Sequence, residues 1–289
     1  MAAKPARMDW TPWFLVAPNL LWLAAFMGGG LLVLAVMSLR GYVPGGVGIA
    51  DTWELTHYVA FLTDEYTLKV LFRTLSIGVQ VTALALILGF PLAVWLSRLR
   101  GTWRAMLYLV IFIPLITSAV VRTFGWMILL SNNGALNASL KAIGIIDGPL
   151  ALLYTELGIV IALAEVLLPF MVLALDAALL NIDAYLYDAA RSLGASRLRI
   201  LVQVTIPLAA PGIVSGSILV FMMSVSAYVT PALVGGPQVP VMSTMIYQQS
   251  VSLLNWPFGA AMSFILLFTL VALLSATYAC GQKTIARAS

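Results

Sequence analysis

Six apolar stretches, each long enough to cross a bilayer as a helix, punctuate this chain and decide most of what it can fold into. They lie near Trp13–Leu39, Val70–Leu96, Ala105–Leu130, Gly158–Leu180, Pro211–Leu233 and Gly259–Cys280. About 20 apolar residues in a helix span the roughly 30 Å of bilayer hydrocarbon. Inside lipid every backbone N–H and C=O must be paired within the protein, which a helix does segment by segment. Of the 289 residues, 62% are hydrophobic and 9% charged, where soluble domains carry about 25% charged residues. So apolar a chain cannot cover a soluble core with polar surface, whereas lipid accepts apolar side chains directly. The expectation is an all-α membrane protein of about six transmembrane helices forming one domain, 1–289.

The net charge of +4 is spread in short clusters between the apolar runs, which argues for membrane orientation and against a nucleic-acid partner. With both termini cytoplasmic, Lys4, Arg7, Arg98, Arg100, Arg104, Arg191, Arg197, Arg199, Lys283 and Arg287 lie inside, against Arg40, Lys69, Arg73, Arg122 and Lys141 outside. Asp51, Glu54, Asp64, Glu65, Asp147 and Glu156 fall outside. An even number of spans agrees with this N-in, C-in reading. Trp10, Trp13, Trp95 and Trp103 fall near the inner interface and Trp126 and Trp256 near the outer one, the depth amphipathic rings prefer. Cys280 is the single cysteine, so no intrachain disulfide forms, and its apolar setting suits a small buried or lipid-facing side chain. The first run is longer than a signal-peptide core and reads as a retained span.

Within the runs, Gly28, Gly29 and Gly30 and the prolines Pro91, Pro114 and Pro169 point to close helix packing or kinks. Ionisable groups in spans are costly and face a cavity or a partner. Glu165 is the clearest case; Asp176 reads as reaching headgroup water, and Arg122 as snorkelling to the interface. Ser224, Ser226 and Tyr228 are candidates for a polar path through the fifth run, with interhelix hydrogen bonding as the alternative. Between the third and fourth runs, Asn132-Asn133-Gly134 carries turn chemistry, followed by a weakly amphipathic stretch, Ala135–Ile146.

The connection Asn181–Pro207 is the most informative segment. Asp183 can cap a helix through Leu193, and Gly194 suits the C′ position, where positive φ costs little. Ser196 can cap a second helix to Ile206, which Pro207 prevents from simply continuing. Ala189 and Ala190 give a small surface beside the glycine, and Arg191, Arg197 and Arg199 hold the unit in water or near anionic headgroups. A compact helix–turn–helix below a membrane is shaped to fit a groove on a partner.

Asp188-Ala189-Ala190, Gly194, Val204, Ile206 and Pro207 resemble the EAA loop of permease subunits in binding-protein-dependent ABC importers: Glu-Ala-Ala, three residues, Gly, nine residues, Ile, one residue, Leu-Pro. Asp replaces Glu, Val replaces Ile and Ile replaces Leu; the shorter Asp leaves only the first position's ion-pair partner open. Ser118–Trp126, Asn132–Asn137, Leu168-Pro169-Phe170, Pro211-Gly212-Ile213, Tyr228–Gly236 and Asn255–Ala261 resemble the spermidine/putrescine branch of that family. The resemblance implies a type I ABC importer permease fold in the bacterial inner membrane, and half of a pore driven by ATP hydrolysis elsewhere. It implies a second permease, two copies of a P-loop ATPase, a periplasmic solute-binding protein and surrounding membrane lipid as partners. It assigns ATPase coupling to Asp188, Ala189, Ala190, Leu193, Gly194, Ala195, Ser196, Arg199 and Pro207. No cofactor is expected on this chain; ATP and Mg2+ belong to the ATPase. The substrate it suggests is a polyamine, with opines and aminophosphonates as alternatives, and Glu165 suits an ammonium because a carboxylate stabilises it strongly at low dielectric.

Two other function classes fit the sequence less well. A self-sufficient secondary transporter or channel is favoured by inverted repeats or several buried charges, and would have no use for the loop. An enzyme lacks its signatures: none of Lys4, Lys69, Lys141 and Lys283 follows a glycine as a nucleotide-binding P-loop requires, the only histidine, His57, falls in an outer connection, and no H-E-x-x-H occurs.

Overall fold

The computed structural model describes residues 11–43 and 49–286, with side chains over 16–43 and 49–277. Lys4, Arg7, Trp10 and Arg287 lie outside the described residues, as do the side chains of Trp13, Cys280 and Lys283. Among the described residues there is no strand, only an isolated antiparallel bridge between Arg40 and Trp53. Four helices are long and apolar enough to cross a membrane (Val16–Ser38, Glu65–Arg98, Glu156–Leu180 and Trp256–Thr277), and two bent pairs bring the number to six if each is one span.

The chain divides into two compact units. One holds the chain up to Asp64 together with Ile246–Phe268. Its first helix, α1 (Thr11–Leu23), passes through a π turn at Ala24–Gly28 into α2 (Gly29–Ser38). The three glycines do not serve close packing there: a Cβ added at Gly28, Gly29 or Gly30 meets nothing within 4 Å. After α2 the chain doubles back, with Gly41 N–H to Thr52 O at 3.1 Å and Glu54 N–H to Leu39 O at 2.7 Å. His57 opens the short α3 (Thr56–Thr63) and its Nε2 lies 3.1 Å from the Arg40 carbonyl oxygen.

The other unit holds Glu65–Met245 and the chain from Thr269. Its core is three helices. The longest, α4 (Glu65–Arg98), has Glu65 in its first turn and Arg98 in its last, both favourable to the helix dipole. α5 (Thr102–Ile116), α6 (Ala119–Leu130) and α7 (Ala135–Ala142) follow. α8 (Glu156–Leu180) is apolar on nearly every side and accordingly sits in the middle, with Leu163, Met171 and Leu175 buried. α9 (Ala184–Ser192), α10 (Arg197–Ile200), a π turn at Leu201–Thr205 and α11 (Ile206–Leu208) lead to α12 (Ala210–Ser226). α13 (Met242–Tyr247) and α14 (Trp256–Ala286) follow, and the part of each that falls within Ile246–Phe268 belongs to the first unit.

Glycine sets the spacing of the core. Gly212 and Gly216, one turn apart on α12, lie against α8 so closely that an added Cβ meets Ala178 Cβ at 2.5 Å and Met171 Sδ at 2.9 Å. Small residues four apart let helix backbones approach in this way. Gly78 of α4 faces Val225 and Phe221 of α12, and Gly89 faces Met171 of α8. These registers make α4 and α8 parallel and α12 antiparallel to both. Arg73 and Glu156, 2.9 Å apart near the starts of α4 and α8, agree.

Two of the six runs are not the single helices their hydropathy suggests. The third, Ala105–Leu130, breaks at Thr117–Ser118, and the axis turns by 96° between Thr102–Ile116 and Ala119–Ala142. The break frees the Pro114 carbonyl, and Arg122 donates its guanidinium N–H to that oxygen instead of snorkelling. The fifth, Pro211–Leu233, ends as a helix at Ser226. Pro231 has no N–H for the Ala227 carbonyl four residues back; Ser243 Oγ donates to it at 2.6 Å. The returning segment is tied down by Tyr154 N–H to Val234 O at 2.8 Å and Met242 N–H to Thr74 Oγ1 at 2.9 Å. Pro207 likewise does not end its helix. The π turn before it, closed by Ile206 N–H to Leu201 O, absorbs the proline, and the axis bends by 64° at Ala209 instead.

Candidate functional site

The loop expected to meet a partner is a pair of capped helices that expose large apolar side chains among charged ones. Asp183 Oδ1 accepts from Tyr185 N–H at 3.0 Å, and Ser196 Oγ from Arg199 N–H at 3.3 Å, so each short helix starts on a side-chain cap. α9 closes on Gly194 at φ +75°, with Gly194 N–H to Arg191 O at 2.9 Å and Ala195 N–H to Ala190 O at 3.0 Å, the paired bonds of a Schellman turn. Asp188 pairs with Arg191 three residues on at 3.2 Å, both well exposed, so the pair contributes little to stability. No residue of α9 is buried. Leu193 is 88% exposed, Tyr185 80% and Leu198 69%, an apolar patch that soluble surfaces rarely carry without a partner. Ala189, Gly194 and Ser196 lie on the exposed surface and Ala195 is half-buried, while Pro207 lies beyond the π turn on the arm leading to α12.

A second polar locus lies along α8. Glu165 Oε2 accepts from Trp126 Nε1 of α6 at 3.2 Å, so Trp126 spends its N–H on a span carboxylate instead of interfacial water. Pro169 removes the ordinary donor to the Glu165 backbone carbonyl, which places a carboxylate and a freed carbonyl on one turn. Eleven residues on, Asp176 does not reach headgroup water. It is 2% exposed, paired with Arg104 at 2.8 Å, and accepts from the Tyr108 hydroxyl; its Oδ1 has no hydrogen-bond partner. The broken helix thus covers both carboxylates of α8, α5 at Asp176 and α6 at Glu165. The Asp176 cluster was missed in the sequence because its members lie 68 and 72 residues apart.

The other path candidates are not gathered at Glu165. Ser224 is buried with its Oγ unpartnered. Ser226 is exposed and donates into its own helix, 2.9 Å from Met222 O. Tyr228 stands partly exposed in the break after α12. Among the described residues no hydrogen bond joins Glu165 to Ser224 or Ser226, and no group of three or more His, Cys, Asp or Glu is placed to hold a metal ion.

Spanning helices, a packed three-helix core and an exposed capped helix pair define the membrane-embedded subunit of a transport assembly. Residues 84–280 match the family "Binding-protein-dependent transport system inner membrane component", and the chain belongs to it. It is similar to the spermidine/putrescine transport system permease protein PotB of Escherichia coli (strain K12), at 35% identity over 214 residues, 74% of this chain and 78% of that protein. PotB of Haemophilus influenzae is 32% identical over 279 residues, 96% of this chain and 92% of that protein. In fold it matches a bacterial ABC transporter involved in the import of the acidic polysaccharide alginate, with a TM-score of 0.70 at 19% identity, covering 95% of this chain and 96% of that one. The chain is therefore a multi-pass permease subunit of an ABC importer in the inner membrane, and ATP is hydrolysed by a separate subunit.

Proposed function

We propose that this chain, acting as one permease domain over 1–289, forms half of a translocation pore for a polyamine such as spermidine or putrescine. The observation that carries the proposal is the capped α9–α10 pair with its bare Tyr185 and Leu193. Such a surface suits insertion into a groove of a P-loop ATPase, one copy under each half of the pore. Asp188, Ala189, Ala190, Leu193, Gly194, Ala195, Ser196 and Arg199 form the seat, and Pro207 lies on the arm that carries its movement to α12. Closure of the ATPases on ATP and Mg2+ moves the seat, and the pore alternates between outward and inward openings. A second, non-identical permease completes the pore, and a periplasmic solute-binding protein delivers the substrate. Both termini are cytoplasmic, as the basic clusters argue.

Polyamine is favoured by the relatives, named for spermidine and putrescine transport, and by Glu165. A carboxylate beside an indole, on a turn with a freed carbonyl, offers an ammonium charge, cation–π and hydrogen-bond partners at once. Ser224, Ser226 and Tyr228 extend the path towards the break after α12. The test is uptake by proteoliposomes holding the assembled importer, with radiolabelled spermidine, putrescine, an opine and an aminophosphonate compared. Spermidine or putrescine uptake is expected to depend on ATP and to fall on the order of tenfold in Glu165→Gln, the effect of about 1.4 kcal/mol. Preference for the opine or aminophosphonate would refute the substrate. Gly194→Trp is expected to abolish ATP-dependent uptake while leaving membrane insertion intact; unchanged uptake would remove the loop's role.

A further inference from the structure

Where α4 ends, a groove of about 470 Å³ opens between its last turns and the arm that follows α9. Pro91, Val94 and Trp95 of α4 form one wall, and Leu198 and Leu201 of the arm the other. Arg98 and Arg197 stand at the groove. Both are exposed, and among the described residues neither is paired with a carboxylate, whereas Arg104 and Arg191 are. No acidic residue lines the groove. The apolar wall belongs to the last turns of α4, a helix long and apolar enough to span a membrane, and Trp95, 55% exposed, is of the type that settles at headgroup depth.

From this juxtaposition we infer that the groove is a binding site for an anionic phospholipid of the surrounding leaflet, its phosphate held by Arg98 and Arg197 and an acyl chain laid along Pro91, Val94 and Leu201. Charge selects the occupant. Two unpaired arginines at the end of a spanning helix attract an anionic headgroup, basic pockets at this depth bind such lipids, and a zwitterionic headgroup cancels most of the attraction. The Arg fork matches phosphate oxygens two at a time. A lipid seated there wedges between α4 and the arm from the exposed helix pair to α12, so its presence alters how far that arm can move.

The assembled importer, purified in mild detergent, is titrated with dioleoylphosphatidylglycerol and with dioleoylphosphatidylcholine and followed by native mass spectrometry. The anionic lipid is expected to bind selectively. Each basic residue near the surface contributes about a fivefold gain in affinity, so Arg98→Gln with Arg197→Gln is expected to weaken binding on the order of 25-fold, while Arg98→Lys with Arg197→Lys retains much of it. Arg100→Gln, outside the groove, is the control. Equal binding of the two lipids, or an equal loss in Arg100→Gln, overturns the assignment. A photoactivatable phosphatidylglycerol tests the unsubstituted protein directly. Labels confined to peptides covering residues 90–98 and 197–205 support the site, whereas labels elsewhere, or protection of both peptides by an acidic segment of the ATPase, overturn it.

Discussion

Glycine has one task in the helix core and another in the α9–α10 pair. At Gly212 and Gly216 it is chosen for absent volume: α8 lies where a side chain would be. At Gly194 nothing lies within 4 Å of an added Cβ, and the residue is chosen for its backbone, held at φ +75°. The core is built from mutual contact, the loop from self-contained turns that leave the side chains free for another molecule. Damage to the first therefore appears as lost folding, and damage to the second as lost partnership with the fold intact.

The sharpest way to break the core is through its buried charge. Arg104→Met leaves Asp176, 2% exposed, as a buried carboxylate without its counter-charge, and removing one partner of a buried pair costs about 3–5 kcal/mol. The expected result is a large drop in the unfolding midpoint, followed by intrinsic fluorescence of the eight tryptophans. Arg104→Met combined with Asp176→Leu is expected to recover most of it, since an apolar replacement leaves no charge unpaired. Next comes Gly216→Leu, which overpacks the α8–α12 contact and is expected to cost about 3 kcal/mol; Gly29→Leu, with open space around it, is expected to stay within about 0.5 kcal/mol. In the loop, Ser196→Ala removes a cap and is expected to cost about 1 kcal/mol, seen as faster amide exchange over Arg197–Ile200 and little elsewhere. Leu193→Ala carries the smallest stability effect, within about 0.5 kcal/mol, yet is expected to abolish co-purification of the ATPase. If Leu193→Ala destabilised the chain as Gly216→Leu does, the contrast between the two regions would fail.

The two regions also differed in how readily the sequence could be read. The caps Asp183 and Ser196 and the Gly194 turn depend on neighbours within a few residues, so local chemistry was enough to place them. The spans were legible because a bilayer imposes hydropathy on every segment that crosses it. Hydropathy is blind to missing donors, however. Ala227 is apolar enough to continue a helix, but Pro231 withholds the donor its carbonyl would need and Ser243 supplies one from a distance; at Thr117–Ser118 the chain leaves the helix and Arg122, four residues on, takes up the Pro114 carbonyl left free. Asp176 shows the same limit: one carboxylate near a helix end looks like an interfacial group until Arg104 and Tyr108 are brought to it by a separate helix. Glu165 could be flagged by its cost in a span, but its partner Trp126 looked like an interfacial anchor.

The corner at Ala209 is also a piece of mechanics. Arg197–Leu208 and Ala210–Ser226 meet there at 64°, and twelve and seventeen residues at 1.5 Å each give arms of about 18 and 25 Å. Under the coupling proposed above, the pair acts as a bell crank. A thrust delivered at the short arm emerges as a sideways sweep of the long one, magnified by the ratio of their lengths, and a turn of about 5° about the corner displaces the far end of α12 by about 2 Å. That end carries Ser224 and Ser226 and abuts the break before Tyr228, so under the proposed coupling such a pivot shifts these path candidates by about half the width of a methyl group.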